Sequence, residues 1–147
     1  MFKLDTPQPS DYPTLLAIWE SSIKATHHFL KPGDVEFFKK TIQEKKLFYL
    51  VSLTIARDEN NEIRGFIGVS DDAVEMLFLD PGSMGKGVGK QLLRYVIDEL
   101  RITKVDVNEQ NEQALKFYQH FGFNITSRSE LDGTGKPYPI LHLQYQQ

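Results

Sequence analysis

Apolar residues recur at two spacings along the chain, and the spacings mark out its elements. Leu15, Leu16, Ile18, Trp19 and Ile23, with Ser22 on the same stripe, repeat at helical spacing after Ser10, Asp11 and Pro13, which supply a cap and first turn. A second, shorter helix is predicted in "KPGDVEFFKKTIQEKK", entered through Pro32, Gly33 and Asp34. "LFYLVSLTIAR" and "IRGFIGVS" are β-rich runs joined by the polar "DENNE", a hairpin signal. "VEMLFLD" follows as a third strand, continuously apolar from Met76 to Leu79 and therefore expected at the centre of its sheet. Val88, Leu92, Leu93, Val96, Ile97 and Leu100 then form one helical face. "TKVDVN" alternates as a strand, and "NEQALKFYQHFG" reads as a helix with Ala114, Phe117, Tyr118 and Phe121 inward and Gly122 as its C-cap. "FNITSRSEL" and "ILHLQY" flank the turn "DGTGKPYP" as two closing strands. The order, with an opening strand ahead of the first helix, is β, αα, βββ, α, β, α, ββ. Mixing hairpin-linked with helix-crossed strands predicts a three-layer α/β fold with a mixed sheet and helices on both faces.

Composition narrows what such a fold can do. At 147 residues, 40% hydrophobic and 25% charged, residues 1–147 are expected to form one domain. No apolar run reaches a bilayer-spanning length, and "MFKLDTPQPSDYP" lacks the pattern of an export signal, so a cytoplasmic setting is expected. The chain has no cysteine, which removes disulfides, thiolate metal sites and cysteine nucleophiles. A net charge of -3 offers no broad positive field, so neither nucleic acid nor a membrane is an expected partner. His27, His28, His120 and His142 form no spaced cluster with carboxylates, and no metal site is expected.

The chemistry concentrates in "LDPGSMGKGVGKQLL", where four glycines precede the third predicted helix. Glycine admits positive φ and close backbone approach, and a helix start presents unpaired N–H groups and a positive dipole end, a combination suited to an anion. Lys86, Lys90 and Arg94 recur every fourth residue, a like-charge row that a bound polyanion would relieve. Known nucleotide loops fit poorly. A P-loop needs Gly at 84 and Ser or Thr at 91, where Met84 and Gln91 stand, and the spacing at Gly85, Gly87 and Gly89 is G-x-G-x-G instead of G-x-G-x-x-G.

"FLDPGSMGKGVGKQLL" resembles the acetyl-CoA pyrophosphate loop of the GNAT superfamily of N-acetyltransferases, with Met84 where that family usually carries Arg or Gln. "NEQNEQALKFYQHFGF" is similar to the family's second motif, an Asn before a helix that carries a Tyr and ends in Gly-Phe, while "IWESSIKATHHFL" and "GKPYPILHL" resemble a subgroup of small bacterial members. The resemblance implies a mixed, mostly antiparallel central sheet of six to seven strands, and direct acetyl transfer from acetyl-CoA to a primary amine of a small molecule or protein. It further implies main-chain pairing of Leu77, Phe78 and Leu79 with the pantetheine arm. A pyrophosphate cradle would run over Met84, Gly85, Lys86, Gly87, Val88, Gly89 and Lys90, with Asn108 or Asn111 bonding the pantetheine amides. The Asn111 side chain is equally suited to capping its helix.

Such a transfer needs a neutral amine, a stabilised oxyanion and a proton for the thiolate. Tyr118 matches the family's acid, although its place among Phe117 and Phe121 also fits packing. The oxyanion donor is expected to be a backbone N–H freed by a bulge near Leu77 to Leu79. Glu75, two residues before Leu77 and so assigned to the same strand face, is the favoured base, with Asp106 and His27 or His28 as alternatives. His27, His28 and Phe29 are placed at the acceptor site, beside Trp19, Phe37 and Phe38 of the two helices that shape acceptor pockets in this fold. Lys136 and Tyr138 either touch substrate or fix the last hairpin. Two rivals have other functions: a CoA-binding sensor without turnover, and an acetyltransferase toxin acting on charged tRNA, which the acidic balance opposes. The acceptor and the oligomeric state, a homodimer among the options, are left open by the sequence.

Overall fold

The computed structural model describes residues 2–146, which build a seven-stranded sheet in the order β1-β2-β3-β4-β5-β7-β6. β1 is Lys3–Asp5, α1 Tyr12–Thr26, α2 Asp34–Glu44, β2 Ser52–Arg57, β3 Ile63–Ser70 and β4 Ala73–Leu79. α3 is Val88–Asp98, β5 Lys104–Asn108, α4 Glu112–Phe121, β6 Phe123–Ser129 and β7 Ile140–Tyr145. All neighbouring pairs are antiparallel except β4 with β5, which run parallel through the α3 crossover. β4 is the middle strand, as its continuous apolar run predicts.

Two apolar cores lie on opposite faces of the sheet. On one face, Leu15, Ile18, Trp19 and Ile23 of α1 join Ile42 of α2, Phe48, and Leu53, Ile55 and Phe66 of the sheet. On the other, Val88, Leu92, Leu93, Val96 and Ile97 of α3 and Tyr118 of α4 cover Ile67, Val74, Val105, Val107, Leu141 and Leu143. Burying aliphatic side chains of this size stabilises by about 1.5–3 kcal/mol each, which fixes α3 and α4 as the platform of everything above them.

Three stretches depart from the pattern-based reading. Leu47–Tyr49 is a 3-10 turn instead of a strand start, because Lys46 takes a left-handed φ of 51° and swings Phe48 into the α1 core while Tyr49 and Leu50 stay exposed. α3 ends at Asp98, two residues before Leu100, which is consequently exposed and not on the buried face. The bulge of β4 is at Glu75, earlier than Leu77 to Leu79: Val74 pairs with Val69 and Met76 with Gly68, leaving Glu75 as the extra residue. That insertion breaks the alternation. Val74, Leu77 and Leu79 all face the α3 core while Met76 and Phe78 face the α1 core, so the two-residue step from Glu75 does not assign it to the face of Leu77.

Candidate active site

β4 and β5 are paired only at Ala73 with Lys104 and Val74 with Val105. Beyond Val74 the bulge carries β4 away with β3, and the two parallel strands separate toward their carboxyl ends, where open α/β sheets place ligands. A cavity of about 560 Å³ fills the split, walled by Val74–Leu79 of β4, Val105–Asn108 of β5, the glycine loop and α4. Central as it is, β4 keeps Met76 to Leu79 half-buried, since no strand covers its second edge there. Alternate main-chain N–H and C=O groups on that edge are left facing the gap.

At the mouth of the split, Gly85 and Gly87 hold φ of 79° and 88°, and a Cβ added at either would project into open space. Gly87 caps α3, whose first main-chain bond runs from Gln91 N–H to the Gly87 carbonyl. Met84 and Lys86 donate back to Pro81 and Ser83 at 3.3 Å, so the amides of Gly85, Gly87, Val88, Gly89 and Lys90 have no partner among the described residues. Gly89 serves packing instead, because its Cβ position lies 3.5 Å from Leu79 and Phe117, letting α3 seat closely against β4 and α4. Lys86, Lys90 and Arg94 are exposed along this helix, and the Arg94 guanidinium lies 4.9 Å over the Phe121 ring.

Asn108 and Asn111 both border the cavity. The Asn108 side-chain oxygen accepts the Gln110 N–H at 2.9 Å, and that of Asn111 accepts the Ala114 N–H at 3.2 Å as the cap of α4. In both cases the carboxamide oxygen is spent on the turn while its NH2 is left over, so capping and ligand contact are compatible. Tyr118 lies on α4 with its ring buried and its residue bordering the cavity. Burial alone pushes its hydroxyl above the usual tyrosine range, so the proton stays on oxygen at neutral pH.

A second cavity of about 280 Å³ adjoins the first, between α1, α2 and the loop before β7. Trp19, Ile23, Leu30, Phe38, Ile42, Leu47 and Tyr138 give it apolar walls, while Glu75 and Asp132 supply carboxylates. Five residues border both spaces: His27, Glu75, Met76, Phe78 and Asn108. The Glu75 carboxylate accepts the Ser70 hydroxyl at 2.8 Å and is otherwise exposed. Asp106 points away from Val105 and Val107 as its alternation predicts, with its side chain 62% exposed, and is engaged by His142 at 2.6 Å, whose other ring nitrogen meets the Ser129 hydroxyl at 2.7 Å.

Of the histidine pair, His27 alone borders the cavities, and burial pushes its imidazole down to about 4, with His28 adding to the effect. A ring so reluctant to charge is a hydrogen-bonding group and a poor base at neutral pH, and it does not complement the α1 dipole. His28 is exposed, and Phe29 stands behind His27 with ring centroids 5.2 Å apart. Phe37 is exposed too, with the Lys136 ammonium 4.4 Å over its ring. Tyr138 and Lys136 tie the last loop to α2: the Tyr138 hydroxyl bonds Asp34 and accepts the Lys31 N–H, and Lys136 pairs with Asp34 at 3.1 Å. Tyr138 also borders the second cavity, so for it the two roles coincide, whereas Lys136 borders neither cavity and only fixes the loop. Thr26, Asp132 and Thr134 were not marked by any spacing; only the folded loop and helix end bring them to the cavities.

Residues 20–136 match the family described as the acetyltransferase (GNAT) domain. The chain belongs to the GNAT acetyltransferase family. It is 38% identical over 133 residues to the peptidyl-lysine N-acetyltransferase YjaB of Salmonella typhimurium, covering 89% of both chains. Its fold superposes on the solution structure of apo-form YjaB from Escherichia coli with a TM-score of 0.88, 34% identity, and coverage of 99% of this chain and 97% of that one. A more distant fold match, at 19% identity and TM-score 0.76, is the PaiA N-acetyltransferase of Thermoplasma acidophilum in complex with coenzyme A, covering 100% and 99% of the two chains. The protein is an acetyl-CoA-dependent N-acetyltransferase. The open cradle at Gly85 and Gly87, with free amides behind it, fits the diphosphate of that cofactor. No helix among the described residues is long and apolar enough to cross a membrane, and among them no group of three or more His, Asp or Glu could hold a metal ion.

Proposed function

We propose that the acceptor is the side-chain amine of a protein lysine, delivered through the second cavity to the thioester lying in the first. The observation that carries this reading is the junction: an apolar, aromatic-walled space meets the cofactor cleft at His27, Glu75, Met76, Phe78 and Asn108. A lysine stem is an aliphatic chain that packs against such walls while its ammonium seeks carboxylates, here Glu75 and Asp132. The name of the YjaB relatives, peptidyl-lysine N-acetyltransferases, supports the same acceptor class.

In this reading the amides of Gly85 and of Gly87 through Lys90 grip the diphosphate, each charge-assisted bond contributing about 1.5–3 kcal/mol, and Lys86 and Lys90 add positive charge at the rim. Leu77, Phe78 and Leu79 offer the pantetheine arm an unpaired strand edge, helped by the NH2 groups of Asn108 and Asn111. Acetyl-CoA supplies the thioester, and a freed N–H of bulged β4 stabilises the oxyanion as the amine adds. Glu75, directly or through water, takes the proton from the nitrogen, because Asp106 is already committed to His142. Tyr118, kept protonated by burial, returns a proton to the thiolate.

The test compares lysine-containing peptides, the same peptides with the lysine side chain blocked, and small free amines as acceptors, following CoA thiol release and the mass of the product. Acetyl groups on lysine at rates well above those for free amines are expected. Turnover confined to small amines would overturn the proposal.

A further inference from the structure

The end of α1 carries a hydrogen-bond chain whose direction is fixed by counting protons. The Thr26 hydroxyl donates to the Ser22 carbonyl at 2.7 Å. It also lies 2.7 Å from Nδ1 of His27. A hydroxyl has one hydrogen, so with that hydrogen on the Ser22 carbonyl the Thr26 oxygen accepts from His27, which puts the ring proton on Nδ1. His27 therefore has its lone pair on Nε2. That nitrogen bonds no described residue, yet no side-chain nitrogen or oxygen among them is both sealed and unpartnered, so Nε2 opens onto free space. The space bordered by His27 is the junction of the two cavities. The ring is also braced: Phe29 packs on it, Tyr138 packs on Phe29 at 6.0 Å, and Tyr138 is anchored to Asp34 and Lys31.

We propose that Thr26 is a positioning residue that holds His27 in the Nδ1–H form, so that Nε2 accepts one N–H of the incoming amine and turns the amine's lone pair toward the thioester carbon. The inference rests on the reading that the acceptor enters through the second cavity. A primary amine has two N–H bonds and one lone pair; fixing one N–H at Nε2 limits where the lone pair can point. His27 orients and takes no proton: as the C–N bond forms and the C–S bond breaks, the nitrogen's proton leaves to the Glu75 side and the thiolate is protonated by Tyr118. Ser22 supplies only its carbonyl, and Thr26 acts entirely through His27.

Two measurements test this independently. Long-range nitrogen–proton spectra of ring-labelled protein at neutral pH are expected to show His27 with Nδ1 protonated and Nε2 bare, and Thr26→Val is expected to lose that uniform tautomer. In turnover assays with a lysine peptide, Thr26→Val should lower kcat about tenfold, the worth of one misdirected hydrogen bond. KM for acetyl-CoA should be unchanged, and Thr26→Ser should restore the rate. A wild-type His27 protonated at Nε2 overturns the proposal, whether or not the valine variant folds. So does a folded valine variant with wild-type kcat. Should the lysine-acceptor reading alone be wrong, the tautomer would still be found as stated while peptides failed as acceptors.

Discussion

His27 makes the stability of this protein depend on pH in a direction opposite to that of a histidine with an anionic partner. In the folded chain its imidazole is pushed from 6.5 down to about 4, chiefly by burial and secondarily by His28. The other titratable groups bordering the same cavities are Glu75, Lys90, Asp106, Tyr118, Asp132 and Tyr138, and none of them is bonded to the ring. Above pH 6.5 both folded and unfolded chains hold the ring neutral, and the group contributes nothing. As pH falls below 6.5 the unfolded chain takes up a proton that the folded chain refuses, so stability drops until the folded ring titrates near 4. A tenfold difference in proton affinity is worth about 1.4 kcal/mol, and the loss drawn between about pH 7 and pH 5 is on the order of 2 kcal/mol. Trp19 is the chain's one tryptophan and lies buried in the α1 core, so its fluorescence in urea reports global unfolding. His27→Gln keeps a polar side chain without the titration. Wild type should lose about 2 kcal/mol more than this variant between those pH values, with equal m-values. Parallel losses in the two proteins would refute the half-buried neutral ring, and a wild type that gained stability relative to the variant on acidification would require an anionic partner for the ring.

Other consequences can be checked separately. Tyr118→Phe should reduce kcat by about 100-fold or more, the usual share of a general acid, while calorimetry still finds acetyl-CoA binding. Gly87→Ala should cost about 1–2 kcal/mol of stability, because φ of 88° is strained for any residue with a Cβ, and should also weaken acetyl-CoA binding by filling the cradle. Gly33→Ala, at the same φ of 88° at the start of α2 and also in open space, should cost similar stability and leave cofactor affinity intact. Tyr138→Phe should lower Tm by several degrees through loss of the Asp34 and Lys31 bonds. Because the tyrosine hydroxyl, ahead of Lys136, holds the Asp34 carboxyl below its ordinary value, that deficit should narrow as pH falls below about 4.

The legible parts of this fold are those where one periodicity rules. α3 is readable because Val88, Leu92, Leu93 and Val96 face the sheet from one side. β3 matched its predicted run from Ile63 to Ser70, since the hairpin before it is closed by Asp58, whose carboxylate accepts the Asn60 and Glu62 N–H groups. The glycine loop is legible because positive φ selects glycine directly. The surroundings of the second cavity are not. His27, Thr26, Asp34 and Tyr138 are brought together across more than a hundred residues of chain, and nothing in their local spacing announces it. Leu47 to Leu50 misled because an apolar β-rich run can be folded into a turn once a single residue, Lys46, turns left-handed.

The bulge at Glu75 connects these observations more closely than any motif does. Were β4 to alternate regularly through Glu75, Val74 and Leu77 would fall on opposite faces, and the α3 core would lose either Val74 or the pair Leu77 and Leu79. The bulge's position immediately after the last residue paired with β5 means that the strand twists away where the ladder stops, which opens the split and exposes the main-chain edge at once. The same displacement brings the Glu75 side chain to the junction of the two cavities, which His27 borders from the end of α1. A single inserted residue in the central strand thus sets the cleft, the free strand edge and the carboxylate together. Their joint dependence on register explains why Glu75 could be singled out in the sequence while its orientation could not.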